Sequence, residues 1–158
     1  MQEIWIKILK ELNKENIPFL LVGGTALIIQ GIPRTTLDID IYLTTNKTNV
    51  KKLLLIANKL NLLSEQKTLL KIPHIEELIT GQWITFETKD KKDIIDIYFE
   101  KEENFNKLYK NAVIKKIDNF NITVTCLEDL KKMKQNSKRA KDLADVSLIN
   151  ELIKNNKY

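Results

Sequence analysis

The amino-acid sequence predicts a mixed α/β (α+β) fold, with one central mixed sheet, helices packed on it and a short helical C-terminal element. Three observations lead there. A length of 158 residues fits a single domain. A content of 43% hydrophobic and 30% charged residues is that of a folded globular chain. The order of patterns is helix, strand, helix, strand, helix, then a run of strands, then helices, and such an order packs as helices on a sheet.

Each element has its own signal. Ile4, Ile8, Leu9 and Leu12 recur at helical spacing within residues 2–15. Pro18 opens a buried strand over 19–22, Gly23-Gly24 turns the chain, and a helix over 25–30 ends at Gly31 and Pro33. Over 37–43, Leu37, Ile39, Ile41 and Leu43 alternate with Asp38, Asp40 and Tyr42, so this strand has one core face and one functional face. An amphipathic helix covers 49–63. Strands over 82–88 and 93–100 flank the polar turn 89–92, a short helix covers 105–110, and strands over 113–117 and 120–124 flank Asp118-Asn119. Thr125 and Glu128 have capping-box spacing and start a helix that runs to Asn136. A last helix spans 138–154. No repeat or low-complexity linker breaks the order, so 1–124 reads as one body with 125–158 as a helical element packed on it.

The chemistry concentrates in residues 21–42. Side chains alternate along a strand, so Asp38 and Asp40 point to the same side. Two carboxylates on one face repel unless a cation sits between them. The glycine pair before a helix is a seat for phosphate. Phosphate and divalent metal in one pocket point to nucleotide chemistry. Metal-dependent phosphoryl transfer wants a third carboxylate to hold two ions. Asp96, a lone acid in the apolar run Ile94–Tyr98, fits that need; Asp93, beside Lys91-Lys92 at the hairpin edge, is the competitor. Other phosphate motifs are missing: there is neither Gly-x-Gly-x-x-Gly nor Gly-Lys-Ser/Thr.

Charge and composition narrow the field further. The net charge is +5, from 24 Lys and only 2 Arg in a chain rich in Ile and Asn. That mixture is typical of AT-rich genomes, and the excess reads as a solvated lysine coat rather than a nucleic-acid surface. Arg34 and Arg139 therefore stand out, because a bidentate guanidinium is hard to replace where phosphate is gripped. Cys126 is the sole cysteine, which excludes an intrachain disulfide and a multi-cysteine zinc site; it is expected to be buried at a helix start. His74, the sole histidine, falls in a loop after Pro73 and is assigned no catalytic part. There is no signal-peptide pattern, and the longest apolar run, 19–29, is too short to span a bilayer. The expectation is a cytoplasmic protein with no membrane partner.

Gly23-Gly24, then Arg34-Thr-Thr-x-Asp38-Ile-Asp40, then an isolated strand Asp, together resemble the nucleotidyltransferase superfamily related to DNA polymerase beta. The wording is most similar to AbiEii-like toxin nucleotidyltransferases and their small stand-alone relatives; lincosamide- and aminoglycoside-modifying enzymes share it more loosely. Lys134-x(4)-Arg139-x-Lys141-Asp142-x-x-Asp145 resembles the helical element that follows the catalytic domain in that group. The resemblance implies a nucleotidyltransferase fold, with residues 1–124 as the catalytic domain. It implies that Asp38, Asp40 and Asp96 ligate two Mg²⁺ ions, with Mn²⁺ as a substitute, and that Asp96 acts as base or orients it. Gly23, Gly24 and Thr25 would meet the triphosphate, Arg34, Lys134 and Arg139 would neutralise it, and Asp142 and Asp145 would orient those cations. Many relatives have Gly-Ser where this chain has Gly24-Thr25.

The expected reaction moves a nucleoside monophosphate from an NTP to an acceptor hydroxyl on an RNA 3′ end, a protein or a small molecule, releasing pyrophosphate. Resemblance adds a toxin role with a cognate antitoxin. Two rivals stand beside it. One is a non-catalytic nucleotide-binding antitoxin or interaction module of the same fold, against which the full set of carboxylates argues. The other is an antibiotic-modifying enzyme, a class expected to carry more acceptor-binding chain than the short segment after Thr125.

Overall fold

The computed structural model describes residues 1–66 and 72–155. Helix α1 (Glu3–Lys14) leads into β1 (Phe19–Val22), α2 (Gly23–Ile29), β2 (Asp38–Thr44) and α3 (Lys47–Lys59). There follow α4 (Ile75–Ile79), β3 (Trp83–Glu87), β4 (Ile94–Glu100), α5 (Glu102–Asn111), β5 (Val113–Ile117), β6 (Phe120–Val124), α6 (Leu127–Gln135) and α7 (Ala140–Asn155). The strands form one mixed sheet in the order β3-β4-β2-β1-β6-β5. β2 pairs antiparallel with β1 and parallel with β4, and β1 pairs parallel with β6. The outer strands β3 and β5 each pair antiparallel with their neighbour.

Burial follows the sequence periods. All four residues of β1, Phe-Leu-Leu-Val, are buried, as a strand in the middle of a covered sheet requires. On β2 and β4 burial alternates: Ile39, Ile41 and Leu43, with Ile95, Ile97 and Phe99, are wholly buried, whereas Asp38, Asp40, Tyr42, Asp96 and Tyr98 are half-buried on the other face. Trp5, Ile8, Leu9 and Leu12 of α1 and Val50, Leu53, Ile56 and Ala57 of α3 join those strand residues in one core cluster. Among the described residues no helix is long and apolar enough to cross a membrane.

Several boundaries differ from the sequence expectation, each for a local reason. The glycine pair is not a turn before the helix but its first two residues, with Gly23 at a φ of +63° joining strand to helix. Leu37 is exposed and precedes β2 rather than joining its core face. Helix α3 stops at Lys59 because Asn61 adopts the left-handed conformation, and Leu63 bridges to Glu87 beside β3. His74, expected in a loop, is the residue that precedes the short helix α4. The capping box at Thr125 and Glu128 does not form. The Thr125 N–H is taken by the Leu21 carbonyl at 3.0 Å, so the helix starts one residue later, with Cys126 as its cap and Asp129 three residues on. The Cys126 thiol is half-buried and lies 3.4 Å from the Asp129 carboxylate.

The core face of the sheet predicts its own sensitivity. Phe99→Ala removes a wholly buried ring from β4 and should cost about 3–5 kcal/mol. Leu55→Ala, on the exposed side of α3, should stay within about 0.5 kcal/mol. Urea denaturation of the two variants measures both.

Candidate active site

Strand register brings the carboxylates together. The parallel pairing of β2 with β4 sets Asp40 beside Asp96, and Asp38 lies two residues back on the same face. One carboxylate oxygen from each of Asp38, Asp40 and Asp96 lies within 4.8 Å of the others. Among the described residues this is the one group of three acidic, histidine or cysteine side chains close enough to share a metal ion, and Asp93, just before β4, is outside it. Thr36 donates to Asp38 at 2.6 Å, and Thr85, the β3 partner of Asp96, donates to Asp96.

The glycine pair forms the wall opposite. A Cβ on Gly23 would stand 1.7 Å from the Asp40 carboxylate, and its φ of +63° is one that side chains resist. No other residue fits there without moving Asp40. The Gly24 N–H bonds to Asp40, and a Cβ on Gly24 would meet the Thr36 hydroxyl at 2.8 Å and the Arg34 guanidinium at 3.0 Å. Thr25, expected at the triphosphate, is 2% exposed, and its hydroxyl donates to the Asp38 carbonyl at 3.0 Å, tying α2 to β2.

Lys134 of α6 and Arg139, just before α7, join Arg34 around two aspartates of α7. Asp145 accepts from Arg34 at 2.6 Å and from Lys134 at 2.8 Å. Asp142 accepts from Lys134 at 2.9 Å, Arg139 at 2.6 Å and Ser137 at 2.6 Å. Both aspartates are buried, as are most of Arg34 and Lys134, while the Arg139 side chain is 81% exposed. Three cations against two carboxylates leave positive charge facing the cleft. That cleft, about 230 Å³, runs from Gly23, Gly24, Arg34, Lys134 and Arg139 past Asp38 and Asp40 to Tyr42 and Trp83. Cavities that enclose a whole ligand measure roughly 300–1,000 Å³, so a nucleotide here would lie across the mouth.

Crowding shifts the acids apart. Burial, then the charges of Asp38 and Asp96, raise Asp40 to about 6 despite the pull of the Gly24 N–H and Lys134. Burial raises Asp96 as well, against the Thr85 hydrogen bond. Burial would also raise Asp142, but hydrogen bonds from Ser137, Lys134 and Arg139 outweigh it and hold that carboxyl well below the ordinary range. Raised, adjacent, hard oxygen donors fit a divalent cation such as Mg²⁺.

Sequence reasoning passed over Thr85, Trp83 and Tyr98. The alternation of residues 82–88 was the available signal, since it puts Trp83 and Thr85 on one face; that this face is also the one bearing Asp96 comes from strand pairing.

The raised acid has a pH signature. Because the folded-state value of Asp40 lies above that of an unfolded carboxyl, its contribution to stability is complete below about pH 4 and is lost as pH rises through about 6. Asp40→Asn, which removes the charge at constant shape, should gain on the wild type by up to about 3 kcal/mol across that window when divalent ions are chelated. Urea denaturation near pH 4 and pH 7 tests it, and a difference that does not change with pH would remove the crowding.

The arrangement of sheet and helices is found in solved structures. The lincosamide antibiotic adenylyltransferase LnuA, with lincomycin bound, superposes with a TM-score of 0.66 at 12% identity, over 96% of this chain and 98% of that one. ANT(2")-Ia in complex with adenylyl-2"-tobramycin gives 0.60 at 14% identity, over 92% and 85%. An antigenic nucleotidyltransferase-like protein of Paracoccidioides brasiliensis gives 0.57 at 13% identity, over 92% and 72%. At these identities the likeness is one of fold. No curated protein matches the sequence. The family described as "Nucleotidyltransferase of unknown function (DUF6036)" matches residues 3–156, and the chain belongs to that nucleotidyltransferase family.

Proposed function

We propose that the protein transfers a nucleoside monophosphate from an NTP to an acceptor hydroxyl with release of pyrophosphate. The observation that supports this most is the clustering of Asp38, Asp40 and Asp96, two of which share a cleft with the side-chain-free glycine wall and with Arg34, Lys134 and Arg139. Asp38, Asp40 and Asp96 would hold Mg²⁺, with Mn²⁺ as a substitute, and two such ions would neutralise the reacting phosphate and lower the pKa of the attacking hydroxyl.

The residues divide the work. Gly23 and Gly24 let phosphate oxygens approach the backbone. Lys134 and Arg139 offset the charge that builds on the leaving pyrophosphate. Arg34, buried against Gly24 and held by Asp145, supports that wall and adds charge behind it. Thr25 contributes through its bond to β2. The acceptor oxygen forms its bond to the α-phosphorus as the bond to the bridging oxygen breaks, and the hydroxyl proton passes to Asp96 or to a base that Asp96 orients. Residues 125–158 complete the catalytic unit of 1–124 rather than act separately, because Lys134 and Arg139 reach the cleft from them.

A second reading, modification of an antibiotic, is favoured by one observation. The chain spans 98% of the lincosamide adenylyltransferase chain, so its length is no obstacle to that chemistry, contrary to the sequence expectation. A toxin role rests on sequence resemblance alone; growth arrest on expression, relieved by a neighbouring gene product, would support it.

Asp38→Ala or Asp40→Ala should abolish pyrophosphate release without unfolding the chain, since each relieves repulsion while removing a ligand. Asp96→Asn should keep nucleotide binding and lose most turnover. Near-wild-type turnover of any of the three, in a coupled pyrophosphate assay with Mg²⁺, overturns the assignment.

Arg139→Lys should weaken NTP–Mg²⁺ binding by about 1.5–3 kcal/mol, roughly ten- to a hundredfold, although the charge is kept. Among the described residues the only side-chain carboxylate on Arg139 is Asp142, so the rest of its planar fork is free for phosphate. Calorimetry decides it, and an unchanged dissociation constant returns Arg139 to the surface.

A further inference from the structure

Beside the carboxylates the same sheet face carries three aromatic rings that the transfer chemistry does not use. Tyr42 and Tyr98 are register partners on β2 and β4, and Trp83 is the partner of Tyr98 on β3. Their ring centroids lie 4.7 Å (Tyr42–Tyr98), 5.0 Å (Trp83–Tyr98) and 5.8 Å (Tyr42–Trp83) apart. Cross-strand aromatic pairs often do no more than stabilise a sheet. Here, however, Trp83 is 42% exposed, and Trp83 and Tyr42 line the same cleft as Asp38 and Asp40.

Position says which substrate they meet. In the sheet order, α6 follows β6 on one side of β2, and with it come Lys134 and Arg139; β4 and β3 lie on the other side. In-line displacement puts the attacking oxygen opposite the leaving pyrophosphate. With the pyrophosphate drawn to the cations, the acceptor approaches over β4, where Tyr98 lies two residues along from Asp96 on the same face and Trp83 pairs with it on β3.

Charge says what kind of acceptor. On β4 Tyr98 stands between Asp96 and Glu100 on one strand face, and on β2 Tyr42 follows Asp40 by two residues on the same face. Glu100, two residues past Tyr98 on that face and outside the three acids that would hold Mg²⁺, leaves a carboxylate at the edge of the patch that disfavours a polyanion. Flat aromatic faces under negative potential favour an apolar or cationic ring face.

On the nucleotidyltransferase reading above, we infer that Trp83, Tyr98 and Tyr42 form the acceptor platform, and that it selects a neutral or cationic hydroxylated ring over a nucleic-acid end. The ring stacks on Trp83 and Tyr98 and presents its hydroxyl to Asp96; the new bond joins that oxygen to the α-phosphorus, pyrophosphate leaves, and the proton goes to Asp96 or to the base it orients.

The test uses the full chain, with methyl glucopyranoside and glucosamine as ring probes and oligoadenylate as the polyanion. Binding is read by saturation-transfer NMR in the presence of a non-hydrolysable NTP and Mg²⁺, turnover by pyrophosphate release, and NTP affinity by calorimetry. The ring probes should bind and oligoadenylate should not act as acceptor. Trp83→Leu should weaken ring binding, or raise the acceptor KM, roughly tenfold or more, while NTP affinity and Tm stay at wild-type values. Tyr98→Leu serves as the second variant where Trp83→Leu is unstable. Ring probes that fail to bind, ring binding untouched by either variant, or turnover with oligoadenylate or a serine-containing peptide in place of a ring overturns the platform. Ring binding that depends on Trp83 without pyrophosphate release from any acceptor keeps the platform and rejects the transferase reading instead.

Discussion

The site depends on one constraint: β2 and β4 run parallel and in register, so Asp40 and Asp96 stand side by side. Adjacent like charges in a half-buried setting are costly, and the raised Asp40 and Asp96 pKa values record that cost. The strands tolerate it because their other faces are continuous apolar surface. Slipping the register by one residue to separate the acids would turn Ile39, Ile41, Ile95 and Ile97 towards the cleft. The hydrophobic core thus holds the carboxylates in a geometry they would not choose. Gly23 sets the third side of the same space, since any side chain there would strike Asp40.

A second layer of charge works in the opposite direction. Asp142 and Asp145 are almost fully buried, and each is satisfied by two cations. Buried ion pairs of this kind add little net stability, but they fix direction. Lys134, held by both aspartates, also lies near enough to Asp40 to lower its pKa. Through that lysine the helical C-terminal element reaches the acids on the sheet, which is why no part of the cleft belongs to one end of the chain alone.

The two kinds of information in the chain differ in how much of this they expose. Period-two alternation made the shared face of Asp38 and Asp40 legible, and a lone acid in an apolar run marked Asp96. The pairing of Asp40 with Asp96, and of Tyr98 with Tyr42 and Trp83, was not legible, because strand order is a tertiary choice made by helix packing and loop connections. Boundary errors had the same origin. Thr125 has the side chain of a helix cap, yet its N–H is spent on Leu21, and the helix begins at the next residue. Gly23-Gly24 has the composition of a turn, but one positive φ is enough to pass from strand to helix without one. Thr25 has a hydroxyl of the kind a ligand could use, yet the fold spends it on the Asp38 carbonyl.

The pair Arg34–Asp145 joins residues 111 positions apart in the chain. During synthesis on a ribosome, β1, α2 and β2 emerge long before α7, so the carboxylates and the glycine wall exist for some time without the aspartates that aim the cations. Loop closure over such a span is slow relative to local helix formation. The arginine beside Gly24 acquires its partner only when the final helix docks, so the cationic side of the cleft is the last part of it to be fixed.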